Sequence, residues 1–304
     1  MIKLTKNIKE ATLITHGGTF HPDDVFSTIF LNKMFPNSIV YRATQIPEKF
    51  NGNQIIYDIG YGSFDHHGPN AKMRNDKIKY SSFGLLWKEY GLSYLSKITE
   101  NYEKLWQIID EKLVMQIDGI DNGNFPKIEA DYKLMDLDNV IDLFNKAWNE
   151  KVDNDQNFQQ ACMIAELIFD RLLLKEKAKL EAQKEVETSI AQNNHQEILI
   201  LDKYMPYNDA LFESKNPAAA TIKIIIFPSN RGGYNIKPRT ISKESKELLV
   251  NFPKEYLGLS DEKLEQASHI KGARFVHING FLASANTLDA ALLLANQALE
   301  NKED

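Results

Sequence analysis

The feature that most constrains the fold is an apolar strand followed at once by a loop and an amphipathic helix. Residues 11–15 form a short, β-branched run that ends at His16 and two glycines, which predicts a strand that stops at a flexible loop. After the loop, Pro22 precedes apolar residues at helical spacing, and proline suits the first turn of a helix. The chain therefore begins with a strand–loop–helix unit.

Further strands and helices alternate along the first half of the chain. The pattern predicts strands at residues 38–42 and 54–59, and helices at residues 81–90, 94–115 and 140–148. Such alternation indicates an α/β fold with a largely parallel sheet, and ligands of such sheets bind beyond the carboxyl ends of the strands. The His and Asp residues described below lie at those predicted ends.

A long helix and a second α/β pattern follow. Residues 157–192 contain no Gly or Pro, and their interleaved Lys and Glu residues suit either a solvated helix face or a spacer between domains. Strands are then predicted at residues 197–201, 219–227 and 272–278, with a closing helix at 287–299. A chain of 304 residues exceeds the usual size of one core. We therefore expect a metal-binding domain at residues 1–190, which includes the long connecting helix, and a smaller α/β domain at 195–304.

Composition narrows the class of protein. The net charge of −6 and the 43% share of hydrophobic residues indicate a folded, soluble protein, and they argue against a broad basic face for duplex DNA. The single cysteine, Cys162, lies in an apolar helical stretch and is interpreted as a core residue in a reducing compartment. We see no signal peptide and no membrane-spanning run, so a cytoplasmic location is expected.

The first chemically informative cluster is the loop after the first strand. It places His16, His21, Asp23 and Asp24 within nine residues. A single histidine near a strand end is more often a packing residue, but the density of this cluster favours metal binding. Mixed imidazole and carboxylate donors suit Mn²⁺, Zn²⁺ or Fe²⁺ better than an all-oxygen site for Mg²⁺ or Ca²⁺.

Two more clusters complete the candidate site. Asp58 ends a predicted strand, and His66 and His67 follow it within a glycine-rich loop; one ring can bind a metal while the other serves proton transfer. Asp118 and Asp121 flank Gly119 at the end of a predicted helix, where either carboxylate could instead form a turn. We expect one of these two to be a ligand, with Asp118 slightly favoured.

These motifs resemble the DHH phosphoesterase superfamily, and within it the Myg family of metal-dependent, exonuclease-like hydrolases. Asp58, the triplet at 65–67 (Asp-His-His) and the upstream His16, His21 and Asp23 carry the superfamily resemblance. The Myg resemblance lies in four stretches: 15–21 (Thr-His-Gly-Gly-Thr-Phe-His), 80–85 (Tyr-Ser-Ser-Phe-Gly-Leu), 117–123 (Ile-Asp-Gly-Ile-Asp-Asn-Gly) and 275–281 (Phe-Val-His-Ile-Asn-Gly-Phe). Together they cover almost the whole chain.

The resemblance implies two divalent ions, Mn²⁺ or Mg²⁺. One ion would be held by His16, His21 and Asp58. The other would be held by Asp23, Asp58, His66 and either Asp118 or Asp121. The second domain would bind the substrate.

Two groups of basic residues in the second domain are candidates for that binding. The stretch with Arg274 and His277 resembles the substrate-binding element of the superfamily. Arg231 and Arg239 form a second basic group around a glycine turn, where a solvated loop is the plainer interpretation.

The expected reaction is hydrolysis of a phosphoester or phosphoanhydride. Asp58 would bridge the ions, and His67 would orient the triplet or protonate the leaving group. The expected substrate is single-stranded nucleic acid, above all RNA or short oligonucleotides, degraded from one end. The alternatives are a small-molecule phosphohydrolase acting on pyrophosphate or a short nucleotide, and a metal-dependent binding protein without turnover. The sequence leaves the oligomeric state and the polarity of digestion open.

Overall fold

The computed structural model describes residues 2–45, 53–68 and 71–301. The chain divides into two compact units, Met1–Lys177 and Ala178–Asp304. The division falls inside one long helix. Within the described ranges, every helix is too short or too polar to cross a bilayer.

The first unit contains a four-stranded parallel sheet. Its strands are β1 (Lys3–Thr5), β2 (Leu13–His16), β3 (Ile39–Ala43) and β4 (Ile55–Ile56), and α1 (Pro22–Met34) connects β2 to β3. The order across the sheet is β1-β3-β2-β4, and each neighbouring pair is parallel. The carboxyl end of β2, a central strand, therefore opens directly onto the N-terminus of α1.

Five further helices belong wholly or partly to this unit. They are α2 (Ser82–Leu95), α3 (Tyr102–Ile109), α4 (Met115–Asp121), α5 (Leu137–Asp142) and the 38-residue α6 (Asn154–Ala191). A π-helical turn at Asp110–Val114 joins α3 to α4. The helix predicted from residue 94 starts only at Tyr102, because α2 ends at Leu95 and the Thr99 hydroxyl accepts a hydrogen bond from the Asn101 amide in the intervening turn.

An aromatic core fixes α1 against α2. The Phe30 ring lies 5.4 Å from that of Trp87, and Phe83 and Phe169 pack beside them. All four side chains are buried, and burying each contributes roughly 1.5–3 kcal/mol. The core therefore holds the N-terminal turns of α1 and α2, which carry polar side chains of the candidate site. Cys162 of α6 is also buried, as its apolar surroundings predicted.

The second unit is built on a mixed five-stranded sheet. Its elements are β5 (Ile198–Ile200), α7 (Asn208–Glu213), α8 (Pro217–Thr221), β6 (Ile224–Pro228), β7 (Tyr234–Pro238), α9 (Asp261–Ser268), β8 (Ala273–Val276), β9 (Ala283–Ala285) and α10 (Leu288–Glu300). The order is β5-β6-β7-β9-β8, with β5 parallel to β6 and the other pairs antiparallel. Alternate residues of β6 face two separate apolar cores. The two sheets confirm the predicted α/β class.

The strand predicted at residues 219–227 is only half right. Residues 217–221 form α8 instead, because Pro217 occupies the first helical position and the Asn216 side chain accepts a hydrogen bond from the Ala218 amide. The glycine turn that follows β6 was expected. A Cβ atom on Gly233, whose φ is +68°, would lie 2.2 Å from the carbonyl oxygen of Ala285, so the β7–β9 approach requires glycine there.

Candidate metal centre

The loop from β2 to α1 brings four potential ligands to the edge of the parallel sheet. His16 is the last residue of β2, His21 caps α1, and Asp23 and Asp24 lie in its first turn. A helix N-terminus favours carboxylates because the unpaired amides carry partial positive charge. The Asp24 carboxylate accepts a hydrogen bond from the His21 amide at 2.8 Å, which turns it back toward the loop.

Asp58 lies at the centre of the cluster. It follows β4 with a left-handed φ of 56°, and its amide donates to the Phe64 carbonyl at 3.0 Å. Its Oδ2 atom lies 3.1 Å from Nε2 of His16, and its Oδ1 atom lies 3.1 Å from Nε2 of His66. One carboxylate therefore faces two imidazoles from opposite oxygens.

Three groups of side chains have the spacing of metal ligands. In each group the candidate ligand atoms lie within 4.8 Å of one another. The groups are His16 with Asp24 and Asp58, Asp58 with His66 and His67, and His21 with Asp23 and Asp121. Nε2 of His66 also lies 3.2 Å from Oδ2 of Asp121 and 3.7 Å from Oδ2 of Asp23, so it connects the second group to the third.

Several buried carboxylate oxygens in this cluster have no hydrogen bond. They are Oδ1 of Asp23, Oδ2 of Asp24, Oδ1 of Asp58 and Oδ2 of Asp121. Each unpaired buried acceptor costs about 1–3 kcal/mol, so four in one place require a physical explanation. Imidazole nitrogens face three of these oxygens at 3.1–3.5 Å without hydrogen-bond geometry. Ligand atoms bound to one cation at about 2.1 Å are separated by roughly 3.0–3.4 Å, so the residues fit divalent cations.

The pKa values show how strongly these groups interact. Burial and the charges of Asp58, Asp121 and Asp24 raise the pKa of Asp23 well above its usual value. Burial likewise raises the pKa of Asp24 to about 6. For Asp58 burial acts in the same direction, but the adjacent imidazoles of His16 and His66 outweigh it and lower the pKa to about 2. A crowded set of buried carboxylates of this kind is stabilised by added positive charge.

His66 and His67 differ in their surroundings although they are adjacent. The His66 side chain is 8% exposed and faces Asp58, whereas the His67 side chain is 56% exposed. Nδ1 of His67 lies 2.8 Å from Oδ1 of Asp65, and the other oxygen of Asp65 accepts from the Tyr61 amide. Asp65 therefore fixes the orientation of the exposed ring.

The structure separates Asp118 from Asp121. Oδ1 of Asp118 accepts hydrogen bonds from the amide and hydroxyl of Ser81, and Oδ2 accepts from Arg74, which also pairs with Asp110. A Cβ atom on Gly84 would lie 2.2 Å from Asp118, so the glycine permits this close packing. The geometry therefore favours Asp121 for the metal cluster, against the slight sequence preference for Asp118, whose oxygens are both occupied.

Asp24 was not in the sequence-based ligand set, but it lies within one of the three groups that have metal-ligand spacing. Its Oδ2 atom lies 3.5 Å from Nε2 of His16, and it stands in the group to which the family resemblance assigned His21. His21 is grouped with Asp23 and Asp121 instead. The sequence carried only a capping signal for Asp24, because the third helical position after a cap is where a carboxylate reaches back to the cap residue.

The ligand loop is clamped by residues outside the cluster. Asn145 accepts from the Phe20 amide at 3.0 Å and donates to the Phe20 carbonyl at 2.8 Å. The guanidinium of Arg42 donates to the Gly18 carbonyl and lies 4.2 Å from the centre of the Phe158 ring. These contacts hold the loop on both sides of the short segment that leads to His21.

In the second unit, the four predicted substrate-binding residues differ in environment. Arg231 is exposed in the turn between β6 and β7, and Arg274 of β8 donates to the Gly232 carbonyl at 2.8 Å in that same turn. His277 lies just after β8 with its ring 4.2 Å from that of Phe281. Arg239 instead donates to the carbonyls of Ala219 and Ile222 and lies over a phenyl ring, so its charge serves the fold of this unit.

Fold and site define an α/β protein with a carboxylate–imidazole cluster at the carboxyl edge of a parallel sheet. Comparison with known proteins identifies the family: the sequence profile of an uncharacterised protein family (UPF0160, MYG1_exonuc) matches residues 12–299. The chain belongs to this family, as its four motifs predicted.

Relatives match over nearly the full chain. The MYG1 protein of Dictyostelium discoideum is 29% identical over 96% of this chain and 97% of its own length. The MYG1 exonuclease of Homo sapiens is 26% identical over 95% of this chain and 85% of its own length. Among solved structures, the pGpG-specific phosphodiesterase PggH from Vibrio cholerae aligns over 96% of this chain and 99% of its own, with 14% identity and a TM-score of 0.26.

Proposed function

We propose that this protein is a metal-dependent phosphoesterase that degrades single-stranded nucleic acid, RNA or short oligonucleotides, from one end. The observation that carries the proposal is the position of Asp58, one carboxylate facing two separate groups of imidazole and carboxylate ligands. The exonuclease name of the mammalian relatives supports the choice of substrate.

The ligand groups suggest which residues would hold each ion. His16, Asp24 and Asp58 would hold one cation, and Asp58, His66, Asp23 and Asp121 would hold the other, with His21 beside Asp23 and Asp121. Imidazole donors favour Mn²⁺ over Mg²⁺ in such a site. Two bound divalent cations would supply an activated water and charge stabilisation for phosphoryl transfer.

Residues around the cluster have separate tasks in this proposal. Asp58 fixes both ligand groups relative to one another. His67 is exposed, and Asp65 orients its ring, so it can exchange a proton with the leaving oxygen of the substrate. Asn145 and Arg42 hold the loop that carries His16 and His21, which keeps the ligands in place without contact with substrate.

The second unit would bind the substrate strand. Arg231 lies in the β6–β7 turn, Arg274 of β8 donates to a carbonyl of that turn, and guanidinium groups bind phosphate oxygens well. His277 lies at the end of the same strand as Arg274. We therefore assign binding of the nucleic-acid substrate to residues 195–304. The metal-dependent reaction is assigned to residues 1–190, which include the long helix.

A turnover screen tests the proposal. Purified protein is incubated with Mn²⁺ and end-labelled RNA, end-labelled DNA, pyrophosphate or a chromogenic phosphodiester, and a chelator is added in parallel. We expect mononucleotide release from the labelled single strands, with RNA fastest, and loss of activity with chelator. Faster hydrolysis of pyrophosphate than of any oligonucleotide would indicate a small-molecule phosphohydrolase, and no turnover of any phosphoester would contradict the proposal.

A further inference from the structure

A cavity of about 910 Å³ lies beside α4 in the first unit. It is bounded by α4 residues and by the irregular segment at 124–136 that follows them. The side chains that matter here are those of Met115, Ile120, Phe125, Tyr132 and Met135. Its volume lies within the range typical of small-molecule sites.

The segment that lines this cavity exposes unusually large apolar side chains. Phe125 is 62% exposed, Tyr132 74%, and Met135 66%. Neighbouring apolar residues left in water on one surface are typical of a binding site. The segment also carries Glu129, Asp131 and Asp136 against two lysines, so its charges nearly cancel, and its exposed rings suit a flat, uncharged group.

Two elements that border the cavity, α4 and α5, also lie near the candidate metal cluster. Ile120 lines the cavity, and the next residue, Asp121, faces His66 in the cluster. On the other side, Asp136 lines the cavity and begins the turn of α5 that contains Asp138. α5 also packs against α1, the helix whose first turn carries Asp23 and Asp24.

We propose that this cavity binds the nucleobases of the substrate by stacking them on Phe125 and Tyr132 while the scissile phosphate lies at the metal cluster. The inference rests on the proposed function and specifies its substrate as one with unpaired bases. Stacking on aromatic rings tolerates every base, because each has a π-face, and its loss weakens binding about ten- to hundredfold. A duplex, whose bases are already stacked, would not enter.

Kinetics of single variants test the cavity. Tyr132→Ala and Phe125→Ala are compared with Trp148→Ala, which removes an aromatic side chain that is 96% exposed in the same unit and does not line the cavity. We expect KM for a short oligonucleotide to rise about ten- to hundredfold in the two cavity variants. Turnover of an abasic oligomer of the same length, which keeps the phosphodiester linkages but has no ring that could stack, should stay at the wild-type level. Trp148→Ala should match wild type on both substrates, and Tyr132→Phe should retain tight binding.

A binding measurement that needs no turnover complements the kinetics. In chelator-treated Tyr132→Trp protein with Trp148→Phe added, adenosine 5′-monophosphate should quench the indole fluorescence more than in the Trp148→Phe parent, which retains Trp87 and Trp106. Ribose 5-phosphate should not have this effect. Equal effects of the two ligands would overturn the inference.

Failure of this inference differs from failure of the proposed function. If wild-type protein degrades oligonucleotides but Tyr132→Ala behaves as Trp148→Ala does, the cavity assignment is wrong and the function stands. Equal losses on the oligonucleotide and the abasic oligomer would also overturn it, because they indicate a structural role. If the wild type hydrolyses no phosphoester, the function fails, and the fluorescence comparison still decides whether the cavity binds a base.

Discussion

The Oδ2 atom of Asp121 lies 3.2 Å from Nε2 of His66, whereas the carboxylate of Asp118, one turn earlier on the same helix, pairs with Ser81 and Arg74. Two acidic residues three positions apart therefore serve different purposes. Asp118 fixes α4 to the start of α2 and to Arg74. In that position of α4, the side chain of Asp121 points toward the metal cluster.

Substitution of each aspartate separates these purposes. Asp121→Ala should lose bound metal while the metal-free protein keeps its melting temperature. Asp118→Ala should destabilise the protein by about 3 kcal/mol, because it leaves the buried Arg74 guanidinium without one of its carboxylates. Metal analysis after dialysis and thermal melting in chelator measure both effects. Loss of metal only in the Asp118 variant would reverse the assignment.

The two adjacent histidines provide a second contrast. His66→Ala should weaken metal retention, because its buried ring faces Asp58 and Asp121. His67→Ala should retain metal and lose turnover. The exposed His67 ring is hydrogen-bonded to Asp65, which leaves it available for proton transfer but not needed to hold an ion. Metal content and turnover number are measured on the same preparations. Equal metal loss in both variants would refute this division.

Metal affinity should depend on pH through His16. In the metal-free protein burial acts to lower its pKa, but Asp58 and Asp24 outweigh burial and raise the pKa to about 9. The ring must lose its proton before Nε2 can bind a cation. Apparent affinity should therefore rise at least tenfold per pH unit between pH 6.5 and 9, with at least one proton released on binding, because the pKa of the His66 ring is raised as well. Calorimetry in two buffers of different ionisation enthalpy measures the release, and a constant affinity across this range would contradict it.

The same pairing has an opposite effect on stability. A histidine whose folded pKa is raised stabilises the metal-free fold below its unfolded value near 6.5, and this contribution is lost as pH rises toward about 9. The His16 contribution to the melting temperature in chelator should therefore decline over the interval in which metal binding strengthens. His16→Gln, which cannot titrate, is the control and should show a weaker decline.

Arginines of the second unit should divide into binding and structural residues. Arg231→Ala and Arg274→Ala should raise KM for oligonucleotides far more than for a small ester, and should give a shallower salt dependence of binding. Arg239→Ala should instead lower the melting temperature and affect all substrates alike, because it leaves buried carbonyls unpaired. Uniform losses in all three variants would contradict a binding role for this turn.

The sequence predicted which histidines and aspartates lie in the site better than it predicted which residues each of them contacts. His16, Asp58 and His66 stand at strand ends or in the loop beyond them, and the parallel sheet brings them together, as local pattern could indicate. Asp121 is favoured over Asp118 because Asp118 pairs with Arg74, which lies 44 residues earlier in the chain. A local sequence pattern does not predict a contact between residues so far apart. The role of Arg239 likewise depends on carbonyls near α8, in a stretch that the sequence predicted as strand.

The most direct test of the account is the metal content and turnover of Asp58→Ala. Its carboxylate faces both ligand groups, so one substitution should remove most bound Mn²⁺ and abolish hydrolysis of end-labelled RNA. Asp65→Ala, which removes the neighbouring carboxylate that orients His67, is the matched control and should keep its metal. Two equivalents of metal and near wild-type turnover in Asp58→Ala would contradict the central claim.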